Sequence, residues 1–172
     1  MTARYWIDRL GMVRHPEGGW FRETYRSLHT VPAEALPPRY SGSRSFATSI
    51  CFLLEGDDFS AFHRIASDEI WYFHCGSTLA VHVITAGGEY REMRLGNDPA
   101  SGAEPQAVVC GGSWFGATVL DRSAYALVGC AVSPGFDFRD FELGRRELLL
   151  SRYPWHSDII TRLTRPVQAE RY

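Results

Sequence analysis

Short stretches of apolar or alternating residues fill the sequence from about residue 45 to residue 143. They are rich in Val, Ile, Phe, Tyr and Trp, and Gly, Asp, Asn or Pro separates most of them, which is typical of an antiparallel sandwich or barrel. In chain order the stretches are SFATSICFLLEG, SAFHRI, EIWYFHCG, LAVHVI, EYREMRLG, QAVVCGG, SWFGATVL, YALVGCAVSP and FDFRDFEL.

A helical pattern is found only at the two ends of the chain. Residues 3–10 follow Thr2, a possible N-cap, and end at Gly11, which predicts a short helix. The segments GRRELLLSRYP and HSDIITRLT predict C-terminal helices within about 144–164, after a barrel over about 20–143. Because no repeat or interior boundary appears, we expect one domain over residues 1–172. The segment HPEGGW, before FRETYRS, has the Pro and Gly of a tight turn.

Composition narrows the classes of partner. Charged residues make up 22% of the chain, the net charge is -2, and acids and bases are interleaved, so we expect a small-molecule ligand and neither nucleic acid nor a membrane surface. All 18 basic residues are Arg, which excludes a lysine Schiff base. The N-terminus lacks an apolar signal core, which predicts a cytoplasmic location.

The 4 cysteines are widely separated, and none forms a C-x-x-C pair. In a cytoplasmic protein disulfides are rare. We therefore interpret Cys51, Cys75, Cys110 and Cys130 as reduced thiols of the core.

A metal-binding motif is present with one ligand replaced. Gly56, His63, Glu69 and Gly76 follow the pattern G-x(5)-H-x-H-x(3,4)-E-x(6)-G, but the first gap is six residues and Ile65 replaces the second His. This pattern is the first motif of the cupin superfamily, which the chain therefore resembles.

The segment CGGSWFGATV resembles the second cupin motif, G-x(5)-P-x-G-x(2)-H-x(3)-N. Gly112 keeps the glycine, while Cys110, Phe115 and Val119 replace the Pro, the ligand His and the Asn. With the flanking segments HPEGGWFRETYRS, LVGCAVSPGFDFRDFEL and YPWH, the chain resembles the small single-domain cupins with a His-Pro-Glu-Gly-Gly signature. The resemblance implies a double-stranded β-helix, the cupin jelly roll, with short terminal helices and a homodimer.

The replacements weaken the case for a metal. The cupin motifs supply three His and one Glu, and here only His63 and Glu69 remain. Alternation along a strand places Trp71 and Phe73 on the face of Glu69 and His74 on the other, while the side of His82 stays open. We expect no cofactor; a divalent metal held by His63 and Glu69 is the less favoured hypothesis.

The favoured hypothesis is metal-independent proton transfer by His63 and Glu69, predicted to lie close together on adjacent strands of one hairpin. An isomerase or epimerase acting on a carbohydrate-like or other carbonyl compound would use such a pair. Sugar-nucleotide epimerases, which the chain resembles in fold, use a His base steered by an Asp, a role open to Asp137 or Asp140. Whether the protein is an enzyme stays open, because a non-catalytic ligand-binding cupin and a reduced-ligand metalloenzyme are alternatives.

Other residues are candidates for binding the ligand. Five aromatic side chains are expected to form the walls of the cavity: Phe52, Trp71, Phe73, Trp114 and Phe115. The alternative for each of them is that it only packs in the core. An Arg in FRETYRS would suit a carboxylate or phosphate, and the alternative is an exposed edge strand. The complete set of predicted ligand-binding residues is Arg22, Glu23, Tyr25, Phe52, Trp71, Phe73, His82, Trp114 and Phe115.

Overall fold

Two facing β-sheets form the body of the computed structural model, which describes residues 1–166. The predicted mainly β jelly-roll class, with short helices at the ends, is confirmed. The strands are β1 (Val13–Arg14), β2 (Trp20–Arg26), β3 (Thr30–Val31), β4 (Arg44–Ser45), β5 (Thr48–Glu55), β6 (Phe59–Arg64), β7 (Asp68–Gly76), β8 (Leu79–Ile84), β9 (Tyr90–Leu95), β10 (Gln106–Val109), β11 (Trp114–Val119), β12 (Tyr125–Ser133) and β13 (Glu142–Leu143).

From β5 to β13 successive strands alternate between the two sheets, except that β8 and β9 pair with each other. One sheet has the order β1-β2-β5-β12-β7-β10, the other has the order β13-β6-β11-β8-β9, and β3 pairs only with β4. Strand β6 therefore pairs with β11 and β13, whereas β7 pairs with β10 and β12. The prediction that β6 and β7 form one hairpin is wrong, because the chain crosses from the five-stranded sheet to the six-stranded sheet between them.

The inner faces of the sheets enclose an apolar core. Every residue of β8 is buried, and β5, β11 and β12 contribute further buried residues. The largest side chains in the core are Phe52, Trp71 and Phe115, each at most 2% exposed. Polar side chains are concentrated at one end of this core, where the candidate site lies.

The helices pack on the outside of the sheets. Helix α1 (Ala3–Leu10) occupies the range expected from the sequence: Thr2 Oγ1 accepts a hydrogen bond from the Tyr5 amide, and Gly11 ends the helix with φ of 60°. Ile7 of α1 packs on the outer face of the six-stranded sheet. None of the helices in residues 1–166 is long and apolar enough to cross a membrane.

Helices α2 (Arg146–Arg152) and α3 (Ser157–Arg162) cover the outer face of the five-stranded sheet. Leu149, Ile160 and Leu163 pack there against Phe62 and Trp114. Trp114 is thus buried outside the barrel interior.

The cysteines do not all lie in the core. Cys130 is buried and Cys51 and Cys75 are partly buried, but Cys110 is exposed. The prediction of a core thiol at position 110 is wrong, because Val109 points inward and the next residue of an extended chain points outward.

Candidate active site

A cavity between the two sheets brings aromatic and ionisable side chains together. Its aromatic walls are Phe21, Phe52, Trp71, Phe136, Phe138 and Phe141, and its polar groups are His15, Glu17, Glu23, Arg26, Thr48, His63 and Glu69. A concave, mostly apolar site with a few convergent polar groups is the usual form of a small-molecule site.

Glu17, which is 6% exposed, is the centre of the polar groups. Its Oε2 lies 3.1 Å from His15 Nδ1 and 3.2 Å from His63 Nε2. Its Oε1 accepts a hydrogen bond of 2.8 Å from the hydroxyl of Ser60. One buried carboxylate therefore orients two imidazole rings.

The turn that carries Glu17 is fixed by its glycines and by β6. Gly18 and Gly19 have φ values of 115° and 69°, which L side chains rarely adopt. A Cβ on Gly18 would also lie 2.2 Å from the Phe59 carbonyl oxygen. The Ala61 amide donates to the Glu17 carbonyl at 2.8 Å, so the turn lies against β6 and directs the Glu17 side chain inward.

Both ring nitrogens of His63 are engaged within the protein. Nδ1 lies 2.8 Å from the Ala61 carbonyl oxygen, which only accepts, so Nδ1 carries a proton. Nε2 faces Glu17, and the ring packs against Phe115 with a centroid distance of 4.1 Å. His63 is thus placed to position Glu17. His15 Nε2, by contrast, has no hydrogen-bond partner within residues 1–166.

The contact between Glu17 and His63 is a coupled pair. Burial alone would raise the pKa of Glu17, but the charges and hydrogen bonds of His63, His15 and Ser60 outweigh it and hold the pKa below its usual value. Burial lowers the pKa of His63, and the Glu17 carboxylate opposes this shift. The proton between Oε2 and Nε2 therefore belongs to the pair and not to one residue.

Glu69 has the opposite protonation preference. Burial and the nearby charge of Glu17 raise its pKa to about 8, and a hydrogen bond with the Cys130 thiol opposes the shift. Glu69 is therefore a neutral acid at neutral pH, in the same cavity as the Glu17 carboxylate.

The residues present do not fit the metal that the cupin motifs would hold. Ile65 and Phe115 fill two of the four ligand positions with apolar side chains, and both nitrogens of the remaining His63 already have partners. Within residues 1–166, no group of three or more His, Cys, Asp or Glu side chains has an arrangement that would hold a metal ion. A catalytic metal site usually has three protein ligands.

The structure places five of the predicted site residues around the cavity: Glu23, Phe52, His63, Glu69 and Trp71. His63 and Glu69 share the cavity, but the hydrogen-bond partner of His63 is Glu17.

Two residues of FRETYRS lie outside the cavity. Arg22 is exposed, and Tyr25 is 55% exposed. Strict alternation would place Glu23 and Tyr25 on the same face of β2, but the register between β2 and β5 shifts between these two residues. Glu23 consequently lines the solvent-exposed side of the cavity, and Arg26, which was not predicted, lines it as well.

Four more predicted ligand-binding residues lie elsewhere. Trp114 packs under the C-terminal helices, and the His82 ring bonds to the Tyr90 and Thr118 hydroxyls on the same side of the barrel. Phe115 lies behind the His63 ring, and Phe73 packs against the core beyond the cavity, next to a register shift between β7 and β12.

The candidates for a steering carboxylate also lie elsewhere. Asp137 forms an ion pair with Arg139, and Asp140 forms a buried ion pair with Arg44. Their place beside an imidazole is taken by Glu17 of the HPEGG segment. Sequence reasoning missed it because the segment was interpreted only as a turn; the available signal was a carboxylate between His15 and two consecutive glycines.

Two facing β-sheets around a cavity lined by aromatic and ionisable side chains define a cupin-type barrel. The family model described as Cupin superfamily (DUF985) matches residues 4–144, which is most of the chain, so the protein belongs to this family.

Relatives of known sequence or structure support the assignment. An uncharacterized protein of Saccharomyces cerevisiae, YML079W, is 31% identical over 83% of this chain and 76% of its own length. The X-ray structure of protein SO0799 from Shewanella oneidensis has a TM-score of 0.85 at 42% identity, covering 96% of this chain and 99% of that one. A hypothetical protein from Leishmania major has a TM-score of 0.87 at 37% identity, covering 95% and 99%.

More distant structures share only the fold. Oxalate decarboxylase from Bacillus subtilis has a TM-score of 0.52 at 14% identity and covers 87% of this chain, which spans 36% of that one. The relatives place the protein among cupins of unassigned function.

Proposed function

We propose that this protein is an isomerase or epimerase that moves a proton next to the carbonyl group of a small molecule without a metal. The observation that carries the proposal is the arrangement in which Glu17 orients His15 and His63 inside an aromatic cavity. A carboxylate that fixes an imidazole through Nδ1 leaves Nε2 available for proton transfer.

His15 is the base in this proposal. Its Nδ1 lies 3.1 Å from Glu17 Oε2, which is closer than the Glu17 amide that donates to Nδ1 at 3.4 Å, and its Nε2 has no hydrogen-bond partner within the described residues. Its ring lies among the aromatic walls, 4.7 Å from the ring of Phe21 and 5.8 Å from that of Phe141. His63 is then a positioning residue that acts through Glu17.

Glu69 is the acid in this proposal. It gives its proton to the carbonyl oxygen while His15 Nε2 takes a proton from the adjacent carbon, which forms an enol. In an isomerase the protonated imidazole then returns its proton to the far carbon of a conjugated dienol, in an epimerase to the same carbon, and in both cases the enol hydroxyl returns its proton to Glu69 as the carbonyl re-forms. A neutral carboxylic acid in the same cavity as an imidazole with a free ring nitrogen suits this exchange.

Deuterium exchange tests the proposal. The protein is incubated in heavy water with keto sugars, hydroxy acids and aryl ketones, and NMR follows the hydrogen next to each carbonyl. We expect exchange with at least one compound, and we expect His15→Asn to slow it by about 10²- to 10⁴-fold, the usual contribution of a general base.

The matched control is His29→Asn, because His29 is exposed and does not line the cavity. It should exchange at the wild-type rate. Wild-type rates in His15→Asn would contradict the role of His15, and no exchange with any compound would contradict the enzyme and favour a binding protein.

A further inference from the structure

Trp71 has a buried donor without an acceptor. Its indole Nε1 exposes less than 1 Å² and is the one buried side-chain nitrogen or oxygen in residues 1–166 that lacks a hydrogen-bond partner. Leaving such a donor unpaired costs about 1–3 kcal/mol, so unpaired buried donors are rare and call for an explanation.

Core packing does not explain the indole nitrogen. Trp71 packs between Phe52 and Phe115, with ring-centroid distances of 6.0 Å and 6.4 Å. A Phe ring would make similar apolar contacts without an unpaired donor. Apolar packing therefore explains the ring of Trp71 but not its N–H group, which calls for a functional explanation.

Trp71 lies where a ligand would be held. It lines the cavity, and it is two residues from Glu69 on β7, so both side chains lie on the inward face of that strand. An oxygen of a ligand bound in this cavity would supply the missing acceptor.

The charges around the cavity indicate a neutral ligand. Arg26 is the one arginine among the lining residues within 1–166, and its Nε and Nη2 already donate to both carboxylate oxygens of Glu23 at 3.0 and 2.6 Å. The other arginine nitrogen, Nη1, donates to the Phe136 carbonyl. A phosphate or carboxylate would have to compete with Glu23 for this guanidinium.

We propose that Trp71 Nε1 donates a hydrogen bond to the carbonyl oxygen of a neutral carbonyl compound with a planar apolar body. This hydrogen bond becomes stronger as the oxygen gains negative charge. This deepens the proposed function and rests on it. A donor placed where charge develops stabilises the transition state more than the ground state. The aromatic lining of the cavity favours unsaturated or aryl carbonyl compounds over carbohydrates within the proposed class.

Binding of 4-nitrophenol tests the proposal without any catalysis. This probe has a planar ring and an oxygen that carries negative charge when ionised, and its absorbance reports ionisation. We expect the wild-type protein to bind it and to stabilise the phenolate. We expect Trp71→Phe to weaken binding by about tenfold or more, the value of one hydrogen bond to a charged group.

Trp114→Phe is the matched control, because Trp114 is a buried Trp that lies outside the cavity. It should bind the probe as the wild type does. Equal binding by Trp71→Phe and wild type would overturn the proposal, and so would tighter binding of 4-nitrophenyl phosphate than of 4-nitrophenol.

A second measurement does not depend on whether Trp71→Phe folds. In nitrogen-15-labelled wild-type protein, saturation with 4-nitrophenol should shift one indole N–H resonance downfield, assigned to Trp71 by comparison with indole signals in Trp-to-Phe variants at the other 4 positions. An unchanged Trp71 resonance would overturn the proposal. Binding with this shift but without deuterium exchange would support the hydrogen bond from Trp71 to the ligand oxygen. It would contradict only the proposed isomerase or epimerase activity.

Discussion

Glu17 and Glu69 show how one cavity gives two identical side chains different states. Glu17 has three polar partners, two of them imidazoles, which favour its charged form. Glu69 lies in apolar surroundings, and the charge of Glu17 adds to the effect of burial. At the residue scale, the surroundings of each carboxyl group, and not its residue type, determine that Glu69 is the acid.

The raised pKa of Glu69 predicts a pH-dependent stability. The folded protein holds its proton up to about pH 8, while an unfolded Glu releases it near 4.5. The stability from the protonated carboxyl is therefore complete below pH 4.5 and is lost as the pH rises towards 8. Relative to Glu69→Gln, the wild type should lose on the order of 2–4 kcal/mol over this interval.

Urea unfolding at about pH 5 and about pH 8 measures this difference. Glu104→Gln is the control, because Glu104 is exposed, and its difference from wild type should not change with pH. A constant difference between wild type and Glu69→Gln would show that the carboxyl titrates normally.

The inward positions of Glu69 and Trp71 could be predicted because they depend only on the alternation of one strand. The partner of His63 could not, since Glu17 is 46 residues away along the chain and no local pattern fixes which carboxylate reaches an imidazole. The different positions of Glu23 and Tyr25 could not be predicted either, because the register shift that separates them depends on pairing with β5.

At the scale of elements, the HPEGG turn is a structural support of the cavity. The His15 amide donates to the Gly19 carbonyl at 3.2 Å, and the Gly18 amide donates to the His15 carbonyl at 3.0 Å. These bonds close the turn on itself, and the positive φ of Gly18 and Gly19 permits them.

Gly18→Ala should destabilise the protein because two effects combine. A Cβ at φ 115° is strained, and it would lie 2.2 Å from the Phe59 carbonyl oxygen, so β6 or the turn must move. Gly102→Ala is the control: it has φ of 73° with no atom within 4 Å of the added Cβ, which leaves only the cost of the left-handed backbone, about 1–2 kcal/mol.

We expect the loss in Gly18→Ala to exceed the loss in Gly102→Ala by at least about 2 kcal/mol, a typical cost for a strained site. Thermal or urea unfolding of the two variants provides the comparison. Equal losses would mean that the turn moves away from β6 without cost.

Strand positions were the part of the fold that the sequence predicted best, because apolar stretches and turn residues are local signals. Which strands pair was not predictable in the same way. The stretches that became β6 and β7 are adjacent in the chain, yet the closure of the barrel assigns them to opposite sheets.

At the scale of the whole molecule, a buried ion pair joins distant segments. Arg44 of β4 donates through Nε to Asp140 at 2.7 Å, and the two side chains are 1% and 6% exposed. Asp140→Ala should destabilise the protein by about 3–5 kcal/mol, because it leaves a buried guanidinium without its partner.

The surface pair of Arg4 and Asp8 is the control, since these side chains are 75% and 56% exposed. Asp8→Ala should change the free energy of unfolding by less than about 1 kcal/mol. Similar values for Asp8→Ala and Asp140→Ala would contradict the importance of the buried pair.

The homodimer implied by the family resemblance stays a prediction that light scattering can check. Strands β1 and β10 are the outer strands of the six-stranded sheet, and an edge strand can pair with a second chain. Val108 of β10 is 48% exposed.

Asp58 connects the two ends of the described chain. Its Oδ2 accepts from the Gly19 amide and from Arg14 in the N-terminal part, and its Oδ1 accepts from Arg165 near the C-terminal limit of the described residues. The turn that carries His15 and Glu17 is thus anchored partly by a residue far along the chain and outside the cavity. A substitution of Arg165 is therefore expected to disturb the turn that carries His15 and Glu17, although Arg165 itself does not line the cavity.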